Sequence, residues 1–537
     1  MCRPEVNRDI LSPVSFLNRS AGVYPDKIAV VYGDRRFTYR QFQSRVHQLA
    51  NALLARGIER GDKVVFVCPN TPPMLEAHFA IPMIGAVLVC VNTQLSSREY
   101  RYIIDHSDAK AVFVDNEFAA QLQAIAEELE KVSFFINICD GGCTLLLKGA
   151  EYESFLAGAP ATTPEIAETW DENSVIAINY TSGTTGRPKG VMYSHRATCL
   201  QTLGEIIEAA LRPNSIYLWT LPMFHCNGWS FPWAVTAVGA THVCLRHCMP
   251  KEIFHLIERE NVSHLCASPN VLLMMICFPG ATAVKLHRPL QVLTAGASPS
   301  PVIIKGMEDI GADVTHVYGL TELHGPYSIC AWQAPWVELD PESVSRMKAR
   351  QGVASITSLH LAVIDPETMQ PVPHDGRTMG EVVMRGHNVM LGYYKDKEAT
   401  DFAFRDGWFH SGDLGVLHPD GYLQITDRAG DVIIRGGDKI SSIEIEEIIY
   451  QHPDVLEVAV VSTPDPVWGE VPKAFVVPKR GRTPTAEEII EFCRSHHAQF
   501  KAPKTVEFGQ LPKTATGKTI KAKLRNREWL GLERKVS

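Results

Sequence analysis

The sequence predicts an α/β fold with more than one domain. Short apolar segments that read as buried strands alternate with segments whose apolar residues recur at helical spacing, which is the pattern of layered α/β proteins. The chain is also 537 residues long, which exceeds the size that one hydrophobic core usually serves. We therefore expect a large α/β domain of layered sheets and helices and at least one smaller domain.

The first strong helix signal lies near the N-terminus. Thr38 is followed three residues later by Gln41, the spacing of a capping box, and apolar residues then recur at helical spacing until Gly57. Strands are predicted for the short apolar segments at 64–68, 111–114, 176–180, 216–218, 241–245 and 291–295. This alternation supports the α/β prediction for the first half of the chain.

The character of the sequence changes near residue 430. Glycine-containing turns precede this point, whereas helix, strand and helix signals follow it at 442–451, 456–462 and 486–497. We expect an N-terminal domain over residues 1–429 and a small α+β domain over residues 430–537.

Charge and hydropathy exclude several classes of function. A formal net charge of −8 and the lack of a basic stripe argue against a nucleic-acid partner. No apolar stretch is long enough to span a bilayer and no secretory leader is visible, so we expect no membrane span and a cytoplasmic location. The thirteen cysteines are scattered without a CxxC pair, and we expect them to be buried or free thiols.

The most informative segment is YTSGTTGRPKGV at residues 180–191. Its glycines allow tight turns, and its hydroxyl side chains and lysine suit phosphate oxyanions. The residues concerned are Thr181, Ser182, Gly183, Thr184, Thr185, Gly186, Lys189 and Gly190. A Walker A loop does not fit, because Arg187 and Pro188 separate Gly186 from Lys189. A flexible surface turn is the structural alternative.

Six further motifs follow in order along the chain. They are LPMFH (221–225), AGAS (295–298), YGLTE (318–322), GWFHSGD (407–413), DRAGDVIIRGGDKIS (427–441) and PKTATGK (512–518). With the glycine-rich segment they resemble the signatures of the adenylate-forming superfamily, which includes acyl-CoA synthetases, peptide-synthetase adenylation domains and luciferases. The resemblance spans nearly the whole chain. It implies that a carboxylic acid is first adenylated with ATP and then transferred to a thiol.

The resemblance implies how the phosphates of ATP are bound. Residues 181–185 and Lys189 would hold the β- and γ-phosphates, and Thr321 would hold the α-phosphate. Glu322, together with Thr184, would hold a Mg²⁺ ion. Taken alone, Thr321 and Glu322 would read only as a helix start.

The resemblance also implies contacts to the nucleoside. Asp413 would accept hydrogen bonds from the ribose hydroxyls, Arg428 would be a second ribose contact, and Tyr318 would stack on the adenine. The other nucleotide contacts implied by the motifs are Gly296, Ala297, Ser298, His316 and Gly319.

The resemblance gives the central catalytic role to Lys518, which would bridge the substrate carboxylate and the α-phosphate. Without the resemblance, a lysine in a Thr/Gly loop near a basic tail is usually a solvated charge. In the family the small domain is mobile and rotates between the two steps, and the pivot position holds Gly430 here instead of a charged residue. Gly436 and Gly437 resemble the stretch that lines the coenzyme A tunnel after rotation.

The implied acyl pocket contains His225, Trp229, Gly296, Gly319 and Pro326. His225 resembles a gating residue and joins the implied catalytic set, and Trp229 is expected about one helical turn later. Acetate-specific relatives carry a tryptophan at the position of Gly319, so a longer acid is expected. The surrounding sequence resembles plant acyl-activating enzymes and 3-methylmercaptopropionate-CoA ligases. A short- to medium-chain acid, including a thioether acid, is therefore expected.

Several alternatives share these motifs. Coenzyme A is the expected acceptor because no carrier domain follows, but an aryl-acid CoA ligase, a luciferase-like enzyme or a stand-alone adenylating enzyme would look similar. A degenerate nucleotide-binding regulatory protein is the non-enzymatic alternative, and the intact Lys189, Glu322, Asp413 and Lys518 argue against it. A homodimer is expected only by analogy with relatives.

Overall fold

The fold is described from a computed structural model. It covers residues 9–165, 171–181, 187–281, 284, 286, 288–496, 501–514 and 517–530, and the description below concerns these residues. Strands and helices alternate through most of the chain, which confirms the α/β fold expected from the sequence.

The strands are β1 (Ile28–Tyr32), β2 (Arg35–Thr38), β3 (Lys63–Val67), β4 (Val87–Cys90), β5 (Ala109–Asp115), β6 (Phe134–Ile138), β7 (Gly149–Glu151), β8 (Val175–Thr181), β9 (Lys189–Ser194), β10 (Ile216–Leu218), β11 (Thr241–Val243), β12 (His264–Ala267), β13 (Leu290–Thr294), β14 (Ala312–Leu320), β15 (Gly325–Ile329), β16 (Val353–Ala354), β17 (His360–Ile364), β18 (Gly380–Arg385), β19 (Gly392–Tyr393), β20 (Phe409–Leu417), β21 (Leu423–Arg428), β22 (Ile433–Arg435), β23 (Asp438–Ile440), β24 (Val455–Asp465), β25 (Gly469–Pro478) and β26 (Thr505–Phe508).

The helices are α1 (Ser15–Val23), α2 (Tyr39–Ala55), α3 (Pro72–Met83), α4 (Ser97–Ser107), α5 (Ala119–Gln123), α6 (Tyr152–Ala157), α7 (His195–Glu208), α8 (Cys226–Trp229), α9 (Phe231–Ala237), α10 (Pro250–Glu260), α11 (Pro269–Ile276), α12 (Pro301–Asp309), α13 (Pro341–Lys348), α14 (Lys397–Ala403), α15 (Ser442–Ile449), α16 (Ala486–His496) and α17 (Lys521–Glu528).

Two large mixed sheets form most of the N-terminal domain. One has nine strands in the order β16-β15-β14-β13-β12-β10-β11-β1-β2, and the other has eight in the order β19-β9-β8-β4-β3-β5-β6-β7. Strands β12, β13 and β14 are parallel neighbours, so their carboxyl ends meet at one edge. Ligands of α/β proteins usually bind at such an edge. The AGAS segment leaves β13 there, and Thr321 follows β14 directly.

Helix α3 lies in the interior of the N-terminal domain, and all twelve of its residues are buried. A helix that is apolar on every face is stable only inside a core. Its one carboxylate, Glu76, accepts hydrogen bonds from Arg45 Nε and from the Tyr152 hydroxyl, each at 2.5 Å, which offsets the cost of burying a charge. Neither α3 nor any other helix of the described residues is long and apolar enough to cross a membrane.

Two smaller sheets complete the molecule. A four-stranded antiparallel sheet has the order β17-β18-β20-β21. A five-stranded sheet has the order β23-β22-β25-β24, with β26 beside β25, and belongs to the small C-terminal domain. Residues of α15 and α16 pack with this sheet in a hydrophobic cluster of their own, which includes Ile433, Ile445 and Ile489. The small domain therefore has a separate core.

Most of the predicted elements are present. Thr38 caps α2, its backbone N–H donates to Gln41 Oε1 at 2.8 Å and its hydroxyl accepts from Gln41 N at 3.3 Å, so the capping box is confirmed. Strand β9 is not among the predicted strands. It pairs antiparallel with β8.

The cysteine prediction is wrong for one pair. Ten described cysteines are free, whereas Cys139 and Cys143 are joined by a disulfide. Their Cα atoms are 5.9 Å apart. Gly141, whose φ is 89°, lets the loop between them turn back on itself.

Candidate active site

An ion pair between Asp413 and Arg428 lies at the centre of the candidate site. The residues face each other on β20 and β21, and Arg428 Nε lies 3.0 Å from Asp413 Oδ1. Tyr318, on β14, donates its hydroxyl hydrogen to Asp413 Oδ2 at 2.7 Å. The nearby Asp413 charge raises the pKa of Arg428. Each carboxylate oxygen keeps a second lone pair, so Asp413 can still accept the hydroxyl groups of a sugar.

Glu322 lies in a short 3-10 helix (Thr321–Leu323) directly after β14. Burial raises the pKa of its carboxyl group, and Tyr393, on β19, donates a hydrogen bond to Glu322 Oε1 at 2.8 Å. The ammonium group of Lys189 lies 4.8 Å from the centre of the Tyr393 ring. The predicted phosphate lysine and the predicted metal carboxylate therefore flank one tyrosine.

Glu322 is the described residue that fits a Mg²⁺ site. No group of three or more His, Cys, Asp or Glu side chains suited to a metal ion occurs among the described residues. Mg²⁺ in phosphate-transfer sites usually takes one or two carboxylates and fills its other positions with phosphate oxygens and water. A single carboxylate that shares Tyr393 with Lys189 of the β8–β9 hairpin matches that pattern.

The strands on either side of the predicted phosphate loop, β8 and β9, pair with each other. Thr181 ends β8, Lys189 begins β9, and the two residues are partners across the ladder. Strand β19, which carries Tyr393, pairs with β9 on its other side. The predicted ligands Ser182, Gly183, Thr184, Thr185 and Gly186 lie outside the described residues.

The AGAS segment directly follows β13, whose last residue, Thr294, is the ladder partner of His316 on β14. Gly296 has a φ of 92°, and an added Cβ there would meet nothing within 4 Å. Ala297 and Ser298 follow in an exposed loop. His316 Nδ1 donates to the carbonyl oxygen of Ala349 at 2.8 Å, and burial lowers the pKa of His316 to about 4. The ring is therefore neutral, and its Nε2 is an acceptor.

Lys518 enters the site from the small C-terminal domain. It lies in a tight loop that is closed by a bridge between Lys513 and Thr519 and that turns at Gly517, where φ is 82°. The positive charge of Arg428 is the main cause that lowers the pKa of Lys518 to about 8, and burial adds to it. Lys518 therefore shares the electrostatic environment of the central ion pair.

The short segment α8, directly after His225, is a left-handed turn, so the expected right-handed helical turn between His225 and Trp229 is wrong. Residues 226–230 all have positive φ, from 42° to 64°. The buried side chains of Asn227 and Asn179 hold the turn, since the Asn227 N–H donates to Asn179 Oδ1 at 3.1 Å and the Asn179 amide donates to Asn227 Oδ1. Non-glycine residues in this conformation cost roughly 1–2 kcal/mol each, so such support is needed.

Three predicted pocket residues form one wall. Trp229 packs against Gly325, where an added Cβ would lie 3.0 Å from the indole Cδ1. Gly325 precedes Pro326, which pairs with Gly319 across the β14–β15 ladder. His225 begins the turn, and burial lowers its pKa to about 4, so its ring is neutral at pH near 7.

The predicted pivot and tunnel glycines follow the ion pair along the chain. At Gly430 an added Cβ would meet nothing within 4 Å. Gly436 has a φ of 60°, donates its N–H to the carbonyl oxygen of Trp468 at 2.8 Å and lies against the ring of that tryptophan. Gly437 has a φ of 99° and open space around it. Their roles in rotation and thiol entry stay predictions.

Sequence reasoning missed Tyr393 and Cys226. Tyr393 belongs to no motif, and only the pairing of β9 with β19 brings it to Glu322. The Cys226 thiol donates to Thr321 Oγ1 at 3.3 Å, while the carbonyl of Thr321 accepts from the Tyr193 hydroxyl at 2.6 Å. Because the thiol occupies one lone pair of Thr321 Oγ1, the hydroxyl hydrogen of Thr321 is free to point elsewhere.

The fold and the site together define a class of protein. Arg428 pairs with the buried carboxylate of Asp413, and the charges of both residues act on the pKa of Lys518. Tyr318 links this pair to the carboxyl end of β14, which Thr321 and Glu322 follow directly. This arrangement suits a nucleotide whose phosphates must be brought close to a second anion. It is the site of an adenylate-forming enzyme.

Comparisons with known proteins agree with this class. Residues 17–394 match the family model of the AMP-binding enzyme, and residues 444–518 match that of the AMP-binding enzyme C-terminal domain. The chain belongs to the AMP-binding enzyme family, within the adenylate-forming superfamily. It is an acid–thiol ligase of the AMP-forming acyl-CoA synthetase type, like the curated relatives that it matches over nearly its full length.

Two relatives and one solved structure illustrate the similarity. The 4-hydroxybutyrate–CoA ligase 2 of Metallosphaera sedula is 45% identical, over 96% of this chain and 94% of that protein. The acetate–CoA ligase CCL3 of Humulus lupulus is 45% identical, over 97% of this chain and 95% of that protein. The anthranilate CoA ligase AuaEII in complex with anthranoyl-AMP has a TM-score of 0.86 at 25% identity, covering 97% of each chain.

The pKa of Lys518 should depend on the charge of Arg428. Replacing Arg428 by Met removes the charge that contributes most to the shift, so the pKa of Lys518 should rise from about 8 toward its ordinary value. The pH dependence of Lys518 labelling by an amine-reactive reagent, followed by mass spectrometry without ATP, measures this. Arg428→Lys keeps the charge and should leave the midpoint nearly unchanged. A midpoint that is equal in the wild type and Arg428→Met would contradict this origin.

Proposed function

We propose that this enzyme converts a short- to medium-chain carboxylic acid into its coenzyme A thioester through an acyl-adenylate. Pyrophosphate leaves in the first step and AMP in the second. The single observation that carries the proposal is the electrostatic coupling of Lys518, on a loop of the small domain, to the Asp413–Arg428 pair of the large domain. A lysine held between domains at a nucleotide site is what an adenylation step requires.

In the first step a carboxylate oxygen of the acid attacks the α-phosphorus of ATP and pyrophosphate leaves. Both reactants are anionic, so catalysis consists mainly of positioning and charge neutralisation. The ammonium group of Lys518 bridges the two anions, and the Thr321 hydroxyl donates to an α-phosphate oxygen. Asp413 and Arg428 hold the ribose, and Tyr318 lies beside them against the base.

Glu322 and Lys189 act at the other end of the triphosphate. Glu322 holds Mg²⁺, which supplies charge neutralisation for the phosphate oxygens when bound. Lys189, over the ring of Tyr393, holds the outer phosphates with the hairpin loop. Because Tyr393 also donates to Glu322, both groups are oriented by the same side chain.

The acid lies against the wall formed by Trp229, Gly319 and Pro326. Gly319 leaves room beyond a two-carbon acid, while Trp229 limits the length. The names of the relatives, which refer to 4-hydroxybutyrate and to acetate, support a short chain. A thioether acid of similar length, such as 3-methylmercaptopropionate, has the same shape and is included in the proposed class.

In the second step the small domain rotates about Gly430 and removes Lys518 from the site. The coenzyme A thiol then attacks the carbonyl carbon of the adenylate, AMP leaves, and the thiol proton passes to solvent. Gly436 and Gly437 form part of the channel for the thiol arm, because both adopt left-handed backbone conformations that approach a ligand closely.

A substrate survey tests the function as a whole. Acid-dependent pyrophosphate release and thioester formation should be measured with ATP, Mg²⁺ and coenzyme A over straight-chain, thioether and aromatic acids. The highest kcat/KM is expected for a short- to medium-chain acid. The proposal fails if no acid yields a coenzyme A thioester, and a clear preference for aromatic acids would replace the proposed substrate class.

The role of Lys518 predicts a division between the two steps. Lys518→Ala should lose adenylation by at least about 100-fold, because a charge aimed at the transition state is removed. Conversion of a supplied acyl-adenylate to the thioester should remain within a few-fold of the wild type. Pyrophosphate exchange without coenzyme A and single-turnover thioester formation measure the two steps separately. Equal loss of both would refute this assignment.

The pivot at Gly430 predicts a contrast between two substitutions. Gly430→Ala adds a Cβ in open space and should keep both steps, whereas Gly430→Pro fixes φ and should allow one step efficiently but not both. The two half-reactions and the overall turnover should be measured for each variant. Normal overall turnover of Gly430→Pro would place the pivot elsewhere.

The pocket wall predicts a change in substrate length. Trp229→Leu opens space beside Gly325, so the preferred straight-chain acid should become longer by one or more carbons. Trp233, a buried tryptophan four residues later whose indole N–H donates to the carbonyl of His78 at 3.0 Å, provides the matched control. Trp233→Leu should lower thermal stability without a change in chain-length preference. An unchanged profile of Trp229→Leu would exclude Trp229 from the pocket.

A further inference from the structure

We propose that Asn270 is a positioning residue that holds the loop of Lys518 in place for adenylation. The inference rests on the proposed role of Lys518. Asn270 belongs to the large domain, and two residues of the Lys518 loop meet it: Lys513 by a hydrogen bond and Gly517 by close packing.

Asn270 lies at the same edge of the nine-stranded sheet as the AGAS segment of the candidate site. It is the second residue of α11, which follows β12, and Ala267 at the end of β12 is the ladder partner of Thr294 on β13. Gly296 comes two residues after Thr294, so the start of α11 and the AGAS segment leave the same edge of the sheet. Asn270 therefore lies beside the site without being one of its nucleotide residues.

Lys513 connects the two domains. Its ammonium group lies 2.6 Å from Glu457 Oε1, on β24 of the small domain, and 2.8 Å from Asn270 Oδ1 of the large domain. Glu457 orients the lysine within its own domain, and the amide oxygen of Asn270 accepts a second hydrogen bond when the domains meet. Hydrogen bonds from a charged donor are stronger than neutral ones.

Gly517 makes the loop fit closely against the same side chain. A Cβ at residue 517 would lie 2.9 Å from Asn270 Cβ, and the φ of 82° also favours glycine. Two hydrogen bonds tie Thr514 to Lys518: the Thr514 N–H donates to the Lys518 carbonyl at 2.8 Å, and the Lys518 N–H donates to Thr514 Oγ1 at 3.1 Å. A displacement of Lys513 or Gly517 therefore displaces Lys518.

This geometry restricts the contribution of Asn270 to one half of the reaction. Its contacts exist only while the small domain presents Lys518 to the large domain. When the domain rotates for thiol attack, Lys513 and Gly517 leave Asn270 together with Lys518. Asn270 should therefore support adenylation and be neutral for thioester formation, although it touches no reacting atom.

The test compares Asn270→Ala with Lys513→Met, each of which removes one partner of the interdomain hydrogen bond. With butyrate as the acid, kcat/KM for pyrophosphate exchange should fall about tenfold or more in each variant, because a charge-assisted hydrogen bond is lost. Thioester formation from supplied butyryl-adenylate should stay within about twofold, since that step does not use the contact. The double variant should lose little more than either single variant, as expected for residues that act through one contact.

A second readout does not depend on the acid. With ATP and Mg²⁺ present, hydrogen exchange of residues 513–518 should be faster in Asn270→Ala than in the wild type. Met274→Ala, at an exposed position of α11, is the control. It should match the wild type in exchange and in both half-reactions. Equal loss of both half-reactions, or unchanged adenylation together with unchanged exchange, would overturn the role of Asn270. If the wild-type enzyme is inactive with every acid, the proposed function is refuted. The hydrogen-exchange comparison would still test whether Asn270 holds the Lys518 loop in place.

Discussion

The rest of the site depends on a charge imbalance around Asp413. This buried carboxylate pairs with Arg428, and the charges of both residues act on the pKa of Lys518. Two cations near one anion repel each other, which is why Arg428 is the largest cause of the lowered pKa of Lys518. An anionic ligand relieves this repulsion. The proposed binding of phosphate and carboxylate groups agrees with this excess of positive charge.

The two large sheets contribute different groups to the proposed ligand site. The nine-stranded sheet supplies the edge from which the AGAS segment and Thr321 emerge, and the eight-stranded sheet supplies the hairpin with Lys189. Tyr393 connects the two, because it lies on a strand of the eight-stranded sheet and donates to Glu322 at the edge of the other. The four-stranded sheet then places the Asp413–Arg428 pair across two neighbouring strands. Each sheet thus contributes a different chemical group to one location.

The sequence predicts the α/β fold class and strands such as β3, β5 and β8, because their patterns are local. The capping box at Thr38, for example, needs only Gln41 three residues away. It also identifies Asp413, Arg428, Glu322 and Lys518 through motifs with spacings that one chemistry explains. It could not predict Tyr393, whose place at the site arises from strand pairing between distant segments. Contacts of this kind depend on register and topology, and no local pattern encodes them.

The prediction of a right-handed helical turn after His225 was wrong for a different reason. A run of positive φ angles is locally unfavourable, so local propensity favours a right-handed helix there. The buried pair of Asn179 and Asn227 overrides that preference from another part of the chain. Similarly, the disulfide between Cys139 and Cys143 depends on a loop that turns back at Gly141, which cysteine spacing alone does not reveal.

The left-handed turn also bears on how the acyl pocket can diversify. Side chains at residues 226–230 must tolerate a backbone that favours glycine and asparagine, so β-branched replacements would be selected against there whatever acid they suited. The other part of the same proposed wall lies on β14 and β15, where Pro326 pairs with Gly319 in an antiparallel ladder. New substrate ranges in descendants of this enzyme should therefore arise mainly through changes on the strand side, while the turn remains nearly invariant.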